Sequence, residues 1–527
     1  MDMATDTVTD ARRIILLVAL LIPAVARTQQ VPQTDATAPN SAPSTIITTG
    51  VSIGERYTSN PFPQELGERT AAWITDAGAR LGLTHRSASA DFSADMRWQK
   101  LFYSSRSDRN GTQRSFNSTG RMEIIEGIFD VNARGTIGLQ GRSAFSASLP
   151  AAPGGNSNGD RVETRTFGIR PDLHARLGGS AMVRASTDAA TSRAEDVAGQ
   201  RQSSTDSVVS VGSDPSTTGL LAWSVSGQSQ RFQGTGADNA DRSSRRAQAS
   251  LQINPADSLG FSIFGGREKT DLSSVQGQQG AASIWGGGVR WIPHERLAIG
   301  VTSGKRFFGT EFAAALAYRR PLSAWRFTAT RDVAYLGART EAGATSPFVG
   351  MLTELLRGST PDAAAREAAA RGRLRDAIIP LALGAPTDAL IARPFLNQRF
   401  EAMFLHTAIR DTLTFSAGYR KQTAFEAIQV PPVPSTFENT RQRNAGFIWS
   451  HRLDRAVTLN YNFQFFQTEG LQDLLRQTIQ RQHSLTASKR LSPSLNVFVL
   501  ARHLDLESSV IRGYVENSVS CNVDIRF

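Results

Sequence analysis

Apolar and polar residues alternate with a period of two along most of the chain. The window 412–419, TLTFSAGY, puts Leu413, Phe415, Ala417 and Tyr419 on one face and Thr414, Ser416 and Gly418 on the other. VTLNYNFQF at 457–465 sets Val457, Leu459, Tyr461, Phe463 and Phe465 against Thr458, Asn460, Asn462 and Gln464. SLNVFVLAR at 494–502 follows through Leu495, Val497, Val499 and Ala501, with Phe498 and Leu500 blurring the other face. This period belongs to the β-strand, whose side chains point to alternate faces. The final segment, SVSCNVDIRF, keeps it to the last residue, with Val519, Cys521, Val523, Ile525 and Phe527 on one side. One apolar and one polar face, repeated strand after strand, is the pattern of a barrel with lipid outside and water inside.

Turn formers punctuate the pattern: RPDLH at 170, NPADSL at 254, IPHERL at 292, RPLSAW at 320, IRDTL at 409, RLDRAV at 452 and LSPSL at 491. The alternate connections, at 150–161, 186–204, 233–244 and 273–282, are longer and rich in Gly, Ser, Asn and Asp. Short turns at one end and long loops at the other are the periplasmic and outer sides of an outer-membrane barrel. The prediction is an all-β fold: one large antiparallel up-and-down transmembrane β-barrel over 44–527, of about 22 strands, with 18–22 compatible with boundaries good to a few residues. Trp285 and Trp291 share a face about 20 Å apart, near the spacing of two aromatic girdles. A soluble sandwich or propeller needs strands buried on both faces or blade-like repeats, which this pattern does not offer.

Composition narrows the compartment. Of the 527 residues 40% are hydrophobic, and the only long apolar run, Ile14–Ile22, follows Arg12 and Arg13 and precedes Ala24-Val25-Ala26. That is the layout of a secretory signal peptide over 1–26, leaving 27–43 as a flexible periplasmic segment. The formal charge is +11, and losing Arg12, Arg13, Asp2, Asp6 and Asp10 with the leader raises it to +12. An exported basic chain meets outer-membrane lipid, lipopolysaccharide and acidic polysaccharide rather than nucleic acid. The single cysteine, Cys521, excludes an internal disulfide and a cysteine-based metal cluster.

From 335 to 393 the alternation stops. Ala, Leu, Glu and Arg dominate, Ser359 and Thr360 can cap a helix, Pro361 suits its first position, and Val349, Leu352, Leu355 and Leu356 recur at helical spacing. Two short helices are expected inside one long outer connection, either as an external cap or folded inward as a plug. A barrel this wide is not filled by its own side chains, so as a plug the insertion would gate the lumen, with Arg366, Arg371, Arg373 and Arg375 drawing anionic solute.

Candidate chemistry is sparse. His85, His174, His294, His406, His451, His483 and His503 sit singly, with no ligand spacing. GVTSGK at 300–305 is one residue short between its glycines and has Arg306 where a phosphate loop needs Ser or Thr, and GFSIFG lacks the nucleophile-elbow spacing. No cofactor or metal is expected, and no enzyme. Val523, Ile525 and Phe527 are the expected signal read by the barrel-insertion machinery.

Three stretches resemble one family, the outer-membrane barrel proteins associated with the PEP-CTERM/exosortase system. VSIGERYTSNPF from Val51 is similar to their first strand, YSSRSDRNGTQRSFNSTGRMEI from Tyr103 to the segment that follows, and STPDAAAREAAARGRL from Ser359 to their helical insertion. Asn60-Pro61 departs from the pattern, in which an apolar residue usually follows the Asn. The resemblance implies an outer-membrane protein encoded beside exopolysaccharide synthesis and protein sorting. It would act as a channel or scaffold in polysaccharide export or surface assembly, with exopolysaccharide-system proteins as partners. A non-conducting assembly protein and a general solute porin are the alternatives.

Overall fold

The computed structural model describes residues 44–527 apart from 61–70, 105–106, 142–144, 146–160, 195–200, 215–218, 236–240, 272–279, 335–346, 357–365, 367–368, 371–394, 426–438, 472–474 and 511–512. The expected leader (1–26) and the segment 27–43 lie outside the described residues.

The alternating segments are strands β1 (Ser44–Thr58), β2 (Ala72–Arg86), β3 (Ala90–Tyr103), β4 (Gly111–Ile125), β5 (Phe129–Gly141), β6 (Arg161–Leu177), β7 (Ala181–Ala194), β8 (Arg201–Ser213), β9 (Leu221–Thr235), β10 (Asp241–Ala256) and β11 (Leu259–Thr270). They continue as β12 (Gly280–His294), β13 (Leu297–Arg306), β14 (Gly309–Arg320), β15 (Ser323–Ala334), β16 (Phe395–Thr407), β17 (Asp411–Ala424), β18 (Thr440–Arg452), β19 (Val457–Gly470), β20 (Gln477–Arg490), β21 (Leu495–Ser508) and β22 (Tyr514–Arg526). Each pairs antiparallel with its neighbours in sequence, and β1 pairs with β22, which closes a 22-stranded barrel. Closure leaves no unpaired edge, the condition for β-structure to cross a membrane.

The outward parity carries the apolar load. Trp223, Phe261, Trp291, Trp325 and Phe527 are exposed near the short-turn rim, Tyr57, Trp73, Phe102 and Trp285 toward the other end, and aliphatic residues such as Ile263, Val301 and Val519 lie between. An apolar exterior belt bounded by two aromatic rows on a closed barrel marks the chain as an outer-membrane barrel. No helix among the described residues is long and apolar enough to cross a membrane. In β22 the outward residues include Val519 and Cys521, while Glu516, Ser518, Ser520 and Asn522 are buried on the inner side.

The closing seam is built from charges. Arg502 Nη2 donates to Glu516 Oε1 at 2.7 Å, and Thr58 Oγ1 donates to the same oxygen at 2.9 Å, all three side chains being buried. Next to it Gln99 Nε2 donates to Asp76 Oδ1 at 3.2 Å. Strands β1, β2, β3, β21 and β22 are thus tied across the point where chain ends meet.

Two sequence readings are corrected. RPDLH at 170 is not a turn: Arg170, Pro171 and Asp172 lie inside the 17-residue β6, and the turn falls at Gly178, whose φ of 64° needs no Cβ clearance. Pro171 pairs with Val131 on the β5 side, while the β6–β7 register skips from Ile169↔Ala189 to Asp172↔Ser186, because proline has no N–H for a ladder. The loops read at 186–204 and 233–244 are mostly strand, since β7 runs to Ala194, β8 starts at Arg201, β9 runs to Thr235 and β10 starts at Asp241. There the strands continue past the lipid belt, and with water on both sides neither face needs apolar residues.

Candidate functional site

The inner wall of the barrel lines its lumen, and parity fixes which residues form it. On β15 and β16, Trp325 and Phe404 face each other on the outside with ring centroids 4.2 Å apart. Their neighbours of opposite parity, Ala324, Met403 and Leu405, therefore point inward. On β18, Ile448 lies between Phe447 and Trp449 and opposite Thr414 of β17, again inward.

These inward apolar residues are covered by the insertion. Helix α1 (Pro347–Leu355) packs Phe348, Val349, Met351 and Leu352, with Leu356, against Ala324, Met403, Leu405 and Ile448. Phe348 and Leu405 are fully buried in this cluster. Arg319, next to last in β14, donates from Nη1 to the Glu354 carbonyl at 2.9 Å. Ala324 is the second residue of β15 and Leu405 stands two residues from the end of β16, so the helix is held at the short-turn, inner mouth. The connection leaves the barrel wall at Ala334, at the opposite end of β15. The twelve residues before α1 are enough to span that length. The described part of the insertion thus lies in the lumen, not above it.

Arg366 is helical and half-buried, one turn before Ala370, which is completely buried in the α1 cluster. Arg371, Arg373 and Arg375 lie outside the described residues, as does most of the second expected helix.

The outer end is narrowed differently. Phe145, from the β5–β6 connection, is buried; its carbonyl accepts from Thr478 Oγ1 on β20 at 3.4 Å, and the Arg476 guanidinium lies 5.2 Å from its ring centroid. Phe145 lies only four positions beyond Gly141, the end of β5. Around the ring, β5 reaches β20 through β4, β3, β2, β1, β22 and β21. A round barrel of this size, about 44 Å across, would hold them about 37 Å apart, yet four residues and a side chain bridge no more than ~20 Å. The barrel is therefore pinched at its outer end. Two separate apolar clusters, Ile74 with Leu101 and Leu504 with Leu506, are buried on the inner face toward the same end.

The remaining inner wall is polar and carries its own ion pairs, Arg306 with Glu268 and Glu311 on β11–β14 and Arg134 with Asp188 on β5 and β7. Gln422, Gln442, Asn444, Asn460, Gln464, Gln480 and Gln482 present buried amides along β17–β20. In the middle of β12–β14 a run of inner positions is small: Gly286, Gly288, Gly300, Gly304, Ala313 and Ala315. A depression of about 380 Å3 lies against this small-residue wall, bordered by Gln252, Arg290, Thr302 and Thr328.

The histidines read as isolated are not all so. Register places His483 opposite His503 on the outer wall, ring centroids 6.3 Å apart. Tyr461 Oη lies 2.8 Å from His483 Nδ1, and Asn517 Oδ1 lies 2.7 Å from His503 Nδ1. They border an exterior groove of about 420 Å3 with Tyr57 and Leu485. Pairing β20 with β21 by parity brings the two together; spacing in sequence does not. No group of three or more His, Cys, Asp or Glu among the described residues is placed to hold a metal.

No family model and no curated protein matches the chain. Solved structures similar to it include the FrpB iron transporter from Neisseria meningitidis, with 10% identity over 91% of this chain and 82% of that one and a TM-score of 0.44. The siderophore receptor PirA from Pseudomonas aeruginosa has 8% identity over 92% and 81% and a TM-score of 0.43. A loop-deletion mutant of OmpT, an outer membrane protein of Vibrio cholerae, has 8% identity over 92% and 100% and a TM-score of 0.32.

Proposed function

We propose that the chain is an outer-membrane channel for an extracellular polysaccharide, stopped at its inner mouth by α1 and opened when α1 leaves its seat. The observation that carries this reading is the helix itself. A short segment sits inside the lumen, held by one apolar patch and one arginine bond, in a barrel whose own side chains cannot fill it. Polysaccharide as cargo is supported by the resemblance to exopolysaccharide-associated barrels and by the row of inner amides along β17–β20, which match sugar hydroxyls without binding them tightly. Arg366, with Arg371, Arg373 and Arg375, would favour an acidic chain. The reading calls for no cofactor, metal or catalytic group.

The test is planar-bilayer recording of the purified protein, with heat-modifiable gel mobility as the folding check. Leu352→Glu, which places a charge in the apolar seat, should produce stable current steps that the wild type shows rarely, and an acidic polysaccharide should block them. Folded but silent protein in both cases would sink the channel reading. That result would favour the second reading, a non-conducting surface or assembly protein, which the constrictions at both mouths support. In cells, deletion that leaves polysaccharide in the periplasm supports transport, whereas normal export with altered surface proteins supports assembly.

A further inference from the structure

On the outer wall of β10–β13, four cations stand together without partners. Arg245 and Lys269 are directly opposite each other across β10 and β11. Arg267 lies two residues further along the same outward face, and Lys305 is opposite Trp285 across β12 and β13. All four are exposed, and among the described residues none takes part in a hydrogen bond or ion pair. Like charges directly opposite on a sheet repel, so the arrangement costs stability unless an anion lies over it. The positions around them are small: Ser229, Ala247, Ala281, Ser283 and Thr310 leave the patch uncovered. The outward carboxylates nearest are Asp241, bonded to Arg231, and Asp271, bonded to Ser243.

The height of the patch identifies its occupant. Directly toward the inner side on the same strands come exposed Trp285, then Ile263, Val289, Val301 and Phe261, the lipid-facing belt. The cations therefore stand where the acyl region ends and the headgroups of the outer leaflet begin. The β13–β14 connection above is only Phe307 and Phe308, so no long loop overhangs them there. We infer that Arg245, Arg267, Lys269 and Lys305 form a docking site for a phosphorylated glycolipid of the outer leaflet, its phosphate between Arg245 and Lys269 and its acyl chains over Trp285 and the belt.

The experiment uses full-length protein in nanodiscs doped with lipid A or with lipid A stripped of phosphate, comparing wild type with Arg245→Gln/Arg267→Gln/Lys269→Gln/Lys305→Gln. A control variant, Arg441→Gln/Arg443→Gln/Arg481→Gln, removes outward cations that already have carboxylate partners. Each basic residue near an anionic headgroup surface is worth several-fold in affinity, so the quadruple change should lower lipid A retention by roughly a hundredfold or more. The control should change it little, and both variants should keep heat-modifiable mobility. Equal retention by wild type and quadruple variant overturns the site. So does equal retention of phosphate-free lipid by the wild type, which would instead leave an acidic polypeptide as the patch's partner.

Discussion

The β16–β22 side of the barrel and the β10–β15 side are built on opposite terms. On the first, the outward arginines of β18 and β20 are matched: Arg441 and Arg443 to Glu469, Arg481 to Asp505 and Glu507. The inner face there is a packed row of buried amides. On the second, the outward cations Arg245, Arg267, Lys269 and Lys305 stand alone, and the middle of the inner wall on β12–β14 is glycine and alanine, beside the Arg306–Glu268–Glu311 cluster. Exposed ion pairs add little stability, so the matched side is not distinguished by strength. What differs is what each wall presents: the first pairs its outward arginines on β18 and β20 and lines the lumen with amides, while the second leaves outward cations unpaired above a strip of small inner residues. Helix α1 straddles the boundary, touching β14, β15, β16 and β18.

Unseating α1 should separate the two sides most sharply. Leu352→Glu should raise mean conductance by about an order of magnitude or more, because burying an unpaired carboxylate is far costlier than the packing it replaces. Next comes the seam on the matched side: Glu516→Gln leaves Arg502 buried beside a neutral partner and should cost about 3–5 kcal/mol in unfolding experiments. Arg267→Gln on the other side should leave the unfolding midpoint nearly unchanged. Ala315→Trp, placed in the small-residue wall of the unseated variant, should reduce its current by roughly half if solute passes along that wall. The same bulk at Ser484 should have less effect, and equal effects would erase the distinction between the sides.

The smallest effect is expected at the inner rim, in the β18–β19 turn. Asp454 Oδ1 accepts from the N–H groups of Ala456 and Val457, which hold its carboxyl below the usual range. A lowered folded value means the stabilisation is present above the unfolded pKa, about 3.9, and disappears as pH falls through the folded one. The difference in melting temperature between wild type and Asp454→Ala should accordingly be measurable at pH 7 and vanish in acid.

Much of the barrel was legible in the chain because lipid imposes a one-sided test on each strand. The run Leu413, Phe415, Ala417, Tyr419 announces both strand and outward face. Where lipid ends the test lapses, and strand without apolar alternation such as Thr191–Ala194 reads as loop. Pro171 misled for a local reason: it reads as a turn, but it keeps its place opposite Val131 on β5 and only the β6–β7 ladder is interrupted. The lumen was harder. Leu504 and Leu506 break the polar parity of β21, but the contact of Phe145 with Thr478, more than three hundred residues apart, has no sign in the local pattern. The helical run that became α1 was readable as helix; its place at the inner mouth depends on Met403, Leu405 and Ile448, which look in sequence like imperfections of alternation.

Bonding Thr58 to Glu516 makes the two ends of the chain mutual templates. Neither β1 nor β22 has a complete set of backbone partners until the other arrives, so every earlier stage presents two unsatisfied edges to the membrane. Completion is then a single late event with a long loop-closure cost. A chain truncated after β21 should persist as an open sheet that aggregates, rather than as a smaller barrel.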